Sequence, residues 1–295
     1  MGGLHLLHAG TRYAPLLSTL VSGGASSLQV IADFDRTLSV AGSVTGHGVL
    51  EAALPPAAKA RCAELYSRYH AIEFDPTLTP AQKEPHMLEW YAAAHEAILS
   101  GGLTRAALSA AVAASLASGA LALRAEVPAL IAATGAAGVP LLVFSAGVAD
   151  VIEVLLSQAL FGSGPLPAHI SVVSNRMAWS AAGAHAGWAT EPLVHMFNKN
   201  EACLRGSHLY EELRRRPNVL LCGDSVGDAS MADGLPHAAV LRLGVLNAAE
   251  PEREPHMAAY ADAFDALILS QESIAPLLDV VRAVCGAEGG GSTSA

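Results

Sequence analysis

Six short apolar runs constrain this chain more than any other feature of its sequence. They cover residues 28–32, 139–144, 170–173, 218–222, 238–243 and 266–269. A strand buried on both faces reads as a near-continuous apolar stretch, because neither side meets water. Helical patterns at 147–160, 200–216 and 225–235 separate several of these runs. Strands alternating with helices predict an α/β fold with a Rossmann-like, doubly wound parallel sheet. One interval breaks the rhythm. Between Leu38 and about Val127 only helical patterns occur, at 56–70, 79–99 and 104–118. Thr79 and Gln82 make a capping box there, with Pro80 in the first turn and Pro85 placed to kink the helix early. A helical block between two strands of one sheet predicts an inserted, all-helical cap. The expected division is a core over 1–40 and 128–285, a cap over 41–127, and a Gly/Ser-rich disordered tail over 286–295.

Composition narrows the class. With 52% hydrophobic and 15% charged residues, the 295-residue chain can bury a large core and is not intrinsically disordered. Lys and Arg number 17 against 27 Asp and Glu, a net charge of −10. The one basic run, Arg214-Arg215-Arg216, closes a helix before Pro217, so a nucleic-acid polymer is not expected as a partner. No apolar run approaches the ~20 residues that span a bilayer. The first 27 residues have no continuous apolar segment for a signal peptide, and Leu6 departs from the myristoylation pattern. Cys62, Cys203, Cys222 and Cys285 form no CxxC pair, so reduced thiols are expected rather than a zinc site. These features predict a cytoplasmic protein with no membrane contact, working as a monomer. An acidic protein that acts on an anion must make local positive charge from a metal or a few placed cations.

Ligands of open α/β sheets bind beyond the carboxyl ends of the strands. The first run ends in Asp33-Phe34-Asp35-Arg36-Thr37-Leu38 and the second in Ser145-Ala146-Gly147. The fourth ends in Gly223-Asp224-Ser225-Val226-Gly227-Asp228, and Phe197-Asn198-Lys199 precedes it. Carboxylates brought within ~4 Å repel by about 1 kcal/mol even in water, and by more where solvent is excluded. A fold that gathers several normally holds a cation between them. Oxygen ligands alone favour Mg²⁺, whereas zinc would call for His or Cys.

The Asp-x-Asp-x-Thr sequence after an apolar strand resembles the haloacid dehalogenase-like phosphohydrolases. Ser145, Lys199 and the pair Asp224 and Asp228 fit their remaining motifs in order. A narrower resemblance, to the cytosolic 5′-nucleotidase III family, extends from about Val21 to Leu278. It rests on the stretch Leu28 to Ser39, on Ala71-Ile72-Glu73-Phe74-Asp75-Pro76 and on His86-Met87-Leu88-Glu89-Trp90-Tyr91. It rests further on Phe144-Ser145-Ala146-Gly147, Val172-Val173-Ser174-Asn175, His195-Met196-Phe197-Asn198-Lys199, and Gly223-Asp224-Ser225 through Gly234.

The resemblance implies Mg²⁺-dependent hydrolysis of a nucleoside 5′-monophosphate through an aspartyl-phosphate. Asp33 would be the nucleophile and Asp35 the general acid and base. Mg²⁺ would be held by Asp33, the Asp35 backbone carbonyl and Asp224, with Asp228 orienting metal waters or Lys199. Lys199 and the Ser145 hydroxyl would bind the phosphate, helped by the amides of Phe34–Asp35 and Ala146–Gly147. Glu73 would meet the base edge, where cytosine's amino group or a charged 7-methylguanine supplies what a carboxylate attracts. Trp90 and Tyr91 would stack on the base, and His95 would line the same pocket. The candidate substrates are CMP, UMP and 7-methyl-GMP. Ala94 resembles the branch that prefers 7-methylguanosine monophosphate. Tyr91 departs from that branch, and the segment 40–55, with Gly46-His47-Gly48, is shorter than the family's base-sandwiching loop. Alternatives are a phosphatase of phosphoserine-like or sugar phosphates, a nucleoside phosphotransferase, or a non-catalytic binding protein on the same fold.

Overall fold

A computed structural model of the chain describes residues 7–286, apart from residues 74 and 76. The chain opens with β1 (Leu7–Ala9), α1 (Tyr13–Gly23) and β2 (Leu28–Asp33). Four helices follow: α2 (Gly46–Ala52), α3 (Pro56–Glu73), α4 (Pro80–Ser100) and α5 (Arg105–Ala117). Next come α6 (Val127–Ala136), β3 (Leu141–Val148), α7 (Ala149–Leu160) and β4 (Ile170–Asn175). A hairpin of β5 (Met177–Trp179) and β6 (His185–Trp188) precedes α8 (His208–Leu213) and β7 (Asn218–Gly223). The chain closes with β8 (Ala239–Val245), α9 (Glu254–Ala263), β9 (Ala266–Ile268) and α10 (Ala275–Gly286).

Seven strands form one sheet in the order β1-β9-β8-β7-β2-β3-β4. Every neighbouring pair is parallel except β1 with β9. All six residues of β2 are buried, as a central strand requires. Alternate side chains feed two cores, one on each face. Val30 and Ala32 join Leu141, Val143, Leu220 and Leu241 on one face. Ile31 joins Leu142, Phe144, Val219 and Leu221 on the other. The first of these cores runs on into the helical block through Val49, Leu50, Cys62, Leu108 and Val112. Among the described residues no helix is long and apolar enough to cross a membrane.

Several local expectations need correction. The pattern over 200–216 is not one helix but a turn at Glu201–Leu204 followed by the short α8. Gly206 takes φ +82° between them, and Ser207 caps α8 by accepting the Tyr210 amide at 3.1 Å. The pattern over 225–235 gives only a turn at Val226–Ser230. Met231, Ala232 and Leu235 are buried against the sheet without continuing a helix. Gly234, at φ +118°, lets the Ala202 backbone approach so closely that a Cβ would lie 2.3 Å from its nitrogen. The edge strand β1, the β5–β6 hairpin and α2, which occupies part of the segment read as a loop, were not anticipated. Strand β3 continues through Ser145 to Val148, with its pairing to β4 shifting between Phe144 and Val148. Of the expected disordered tail over 286–295, Gly286 instead ends α10 and the rest lies outside the described residues.

Candidate active site

The strand order reverses between β2 and β7: the chain moves outward from β2 through β3 to β4, then returns to β2's other side. Register pairs Asp33 with Phe144 and Ala32 with Cys222, so Asp33, Ser145 and Asp224 come to one edge on adjacent strands. This is the crevice where open α/β sheets bind ligands.

Lys199 reaches this edge from the segment between β6 and the Glu201–Leu204 turn. Its ammonium donates to Asp33 Oδ1 and, at 2.8 Å, to Asp228 Oδ1. All three residues are buried. Burial alone would lower the lysine's pKa, but Asp228 and Asp33 outweigh it and hold the ammonium well above its ordinary range. Asp33 moves up, first by burial and then through Asp228 and Asp224, despite Lys199. Burial and Asp228 push Asp224 up to about 7. Asp33, Asp224 and Asp228 can each offer an oxygen within 4.8 Å of the others. Three carboxylates against one ammonium leave an excess of negative charge, and the buried Asp33 Oδ2 has no hydrogen-bond partner. An all-oxygen donor set with an unsatisfied carboxylate oxygen fits a hard divalent cation such as Mg²⁺.

Asp35 lies just past the strand, in the tight turn Phe34–Leu38. Its Oδ1 accepts the Gly46 amide at 2.9 Å, so α2 holds the side chain. Burial raises its pKa against that bond and the nearby His47. Arg36 sits at φ +63°, a left-handed conformation that costs a non-glycine residue about 1–2 kcal/mol. Ser145 is buried, and its Oγ accepts the Gly147 amide at 3.0 Å. Asn175, at the end of β4, donates to the Ala146, Gly147 and Val194 carbonyls and accepts the Val194 amide at 2.9 Å. It thereby ties the Ser145 loop to the segment that carries Lys199.

The remaining predicted residues come from α3 and α4. Tyr91 lies near enough for Glu73, Lys199 and Asp35 to act on its phenol, which burial pushes up. Its ring meets His47, His95 and His195 edge-on at centroid distances of 6.4, 6.3 and 6.5 Å. Glu73 ends α3, and burial raises its pKa against the pull of Lys83. His95 stacks on Trp188 of β6 at 3.6 Å with 10° between the rings, and burial drives its pKa down to about 3. Its imidazole is therefore neutral. Trp90 is placed differently: it stacks on Tyr69 in a cluster with Leu65 and Met87, between α3 and α4.

Sequence reasoning assigned no role to Asn175, Trp188, Arg124 or Asn247. Asn175 carried a signal, being polar at the end of an apolar run. Trp188 sits in an unforeseen hairpin, and the lone Arg124 has no pattern around it.

The model of the family described as pyrimidine 5′-nucleotidase (UMPH-1) matches residues 36–285. Among curated proteins, a 7-methylguanosine phosphate-specific 5′-nucleotidase of Gallus gallus is 33% identical over 281 residues, 92% of each chain. Its namesake in Homo sapiens is 30% identical over 279 residues, covering 92% of this chain and 88% of the relative. A crystal structure of cytosolic 5′-nucleotidase IIIB bound to cytidine superposes with a TM-score of 0.82 at 29% identity, covering 94% of this chain and 93% of the other. A probable phosphoserine phosphatase from Vibrio cholerae, 16% identical with a TM-score of 0.54, covers 92% of this chain and 69% of its own, and shares the fold.

Proposed function

We propose, on the premise that the chain belongs to the pyrimidine 5′-nucleotidase (UMPH-1) family, that this 5′-nucleotidase uses Asp33 and bound Mg²⁺ to hydrolyse pyrimidine or 7-methylguanosine monophosphate. The observation that carries the reading is the buried trio Asp33, Lys199 and Asp228 beside Asp224, at the crevice faced by Tyr91.

The Asp33 carboxylate attacks phosphorus as the bond to the nucleoside 5′-oxygen breaks. Asp35, whose raised pKa favours carrying a proton, protonates the departing oxygen. Asp35 then takes a proton from the water that attacks the aspartyl-phosphate, which releases inorganic phosphate and restores Asp33. Lys199 keeps its charge throughout and faces the developing negative charge with Ser145. A divalent cation held by Asp33, Asp224 and the Asp35 carbonyl, with Asp228 beside it, would offset the repulsion between carboxylate and phosphate dianion. General acid–base catalysis supplies about 10²–10⁴-fold, so charge compensation and positioning must supply most of the rate.

The helices within 41–127 act as the cap that selects the base. Glu73 offers a carboxylate to an N–H-rich or cationic base edge, while Tyr91 and the neutral His95 give it aromatic walls. The relatives named for 7-methylguanosine phosphate and the relative bound to cytidine support these two substrate classes. The test is phosphate release from CMP, UMP, 7-methyl-GMP, GMP and AMP, with Mg²⁺ and with EDTA. The expected result is metal-dependent release favouring 7-methyl-GMP or CMP. A preference for phosphoserine or a sugar phosphate over every nucleotide would overturn the substrate reading.

A further inference from the structure

Arg124 is completely buried, and among the described residues no carboxylate lies within ion-pair distance of it. A buried cation without a counter-ion is costly unless its donors are satisfied. Its fork reaches three separate segments. Nε donates to the Ser39 carbonyl at 3.2 Å and Nη1 to the Ser270 carbonyl at 3.4 Å. Nη2 donates to the Arg36 carbonyl at 2.8 Å and to Asn247 Oδ1 at 2.7 Å.

The Arg36 carbonyl also accepts Asn247 Nδ2 at 3.0 Å, and the Arg36 amide donates to Ser39 Oγ at 2.8 Å. The one non-glycine residue of the Asp33–Ser39 turn at positive φ is thus held at both its polar groups. Arg124 also stands where the chain returns from the helical block. Its amide donates to the Leu38 carbonyl at 2.9 Å, next to the bridge between Ser39 and Leu123. The outgoing and returning segments run side by side, and the guanidinium anchors both to the loops after β8 and β9.

We propose that Arg124 is a positioning residue for phosphoryl transfer: its guanidinium holds Arg36 in the left-handed turn that aims Asp35. The inference rests on reading Asp33 and Asp35 as the reacting carboxylates. It extends that reading to a side chain that touches neither substrate nor phosphate. Asp35 precedes the pinned peptide, so a relaxed Arg36 would swing the acid away from the leaving oxygen while the cap pocket stayed intact.

The test compares kcat and KM of the full-length chain and its variants, with thermal melting as the control. Arg124→Lys and Arg124→Met should lower kcat by about 10²-fold, the scale of a misplaced catalytic group, with KM unchanged. Asn247→Ala should lower it less. Glycine adopts positive φ without help, so the loss caused by Arg124→Met should shrink to under about tenfold in an Arg36→Gly background. A merely structural role predicts the same loss in both backgrounds, and that outcome would overturn the proposal. So would lowered melting with kcat of the folded protein unchanged. If Arg124→Met does not fold, Arg124→Lys in the two backgrounds carries the comparison. Running every variant on an aryl phosphate as well separates the readings. Wild type that spares every nucleotide condemns the substrate assignment, whereas equal kcat across the Arg124 variants condemns this one.

Discussion

The carboxylate edge and the aromatic wall near it are held by different forces. Asp33 is paired at the end of β2, and Ser145 and Asp224 directly follow the ladder-paired Phe144 of β3 and Gly223 of β7, so backbone bonds lock their register. Glu73, Tyr91 and His95 project from α3 and α4, whose positions depend on side-chain packing. Tyr69, Met87 and Trp90 hold α3 against α4, and the Trp188 ring supports His95 from the β5–β6 hairpin. A ladder tolerates side-chain change because its bonds are backbone bonds. A packed helical wall moves when one ring is lost. The carboxylates and Ser145 therefore sit at the sheet edge, and the side chains proposed to face the base sit on helices.

This contrast predicts graded losses. The largest belongs to the edge: Asp33→Asn should lower kcat on every substrate by at least about 10⁴-fold with the fold retained, as steady-state kinetics and melting would show. Lys199→Met should follow, at about 10²–10³-fold, because it removes a preorganised charge from the reacting phosphate. A wall residue whose loss matched Asp33→Asn on all substrates would break the contrast.

Cation binding at the edge should depend on pH in a set direction. Asp224 must be deprotonated to ligate a cation, and burial with Asp228 places its pKa at about 7. Protons therefore compete below that pH and not above it. The Mg²⁺ concentration for half-maximal activity should rise by up to about tenfold per pH unit below neutrality and level off above it. A flat profile from acid to alkaline pH would show that Asp224 is not the titrating ligand.

Changes in the wall should sort substrates. Glu73→Gln should cost about 10- to 100-fold in kcat/KM for the preferred nucleotide, with less effect on an aryl phosphate that lacks the base. Equal losses on both would place Glu73 in the chemistry instead. The smallest effect is expected for Trp188→Leu. Losing a stacked ring pair is worth about 0.5–1.5 kcal/mol, or roughly two- to tenfold, and should appear in KM for nucleotides. A fall in kcat alone would show that the hairpin supports the edge as well.

Much of the edge is legible in the sequence, because Asp33, Asp35, Ser145 and Asp224 each stand just past a short apolar run, although Lys199 does not. A run that ends in Asp33-Phe34-Asp35 or Gly223-Asp224 marks a strand and what lies beyond it. The helices of the wall were legible too, through the Thr79 and Gln82 capping box at the start of α4. Which aromatic faced the site was not, because Trp90 and Tyr91 are neighbours in sequence on different helix faces. Only packing shows that Trp90 turns toward Tyr69 while Tyr91 turns toward the carboxylates.

The sequence by itself determined the six parallel strands, the helical block after the first of them and the order of the acidic, serine and lysine residues, because apolar periodicity and turn chemistry are local signals. Tertiary structure alone decided which distant groups meet. Lys199 reaches Asp33 across 166 positions of chain, Arg124 reaches Asn247 across 123, and the Trp188 indole bonds the His95 carbonyl across 93. Such meetings leave no periodic trace in the sequence, since the free energy that selects them comes from burial and hydrogen bonding after the chain has closed.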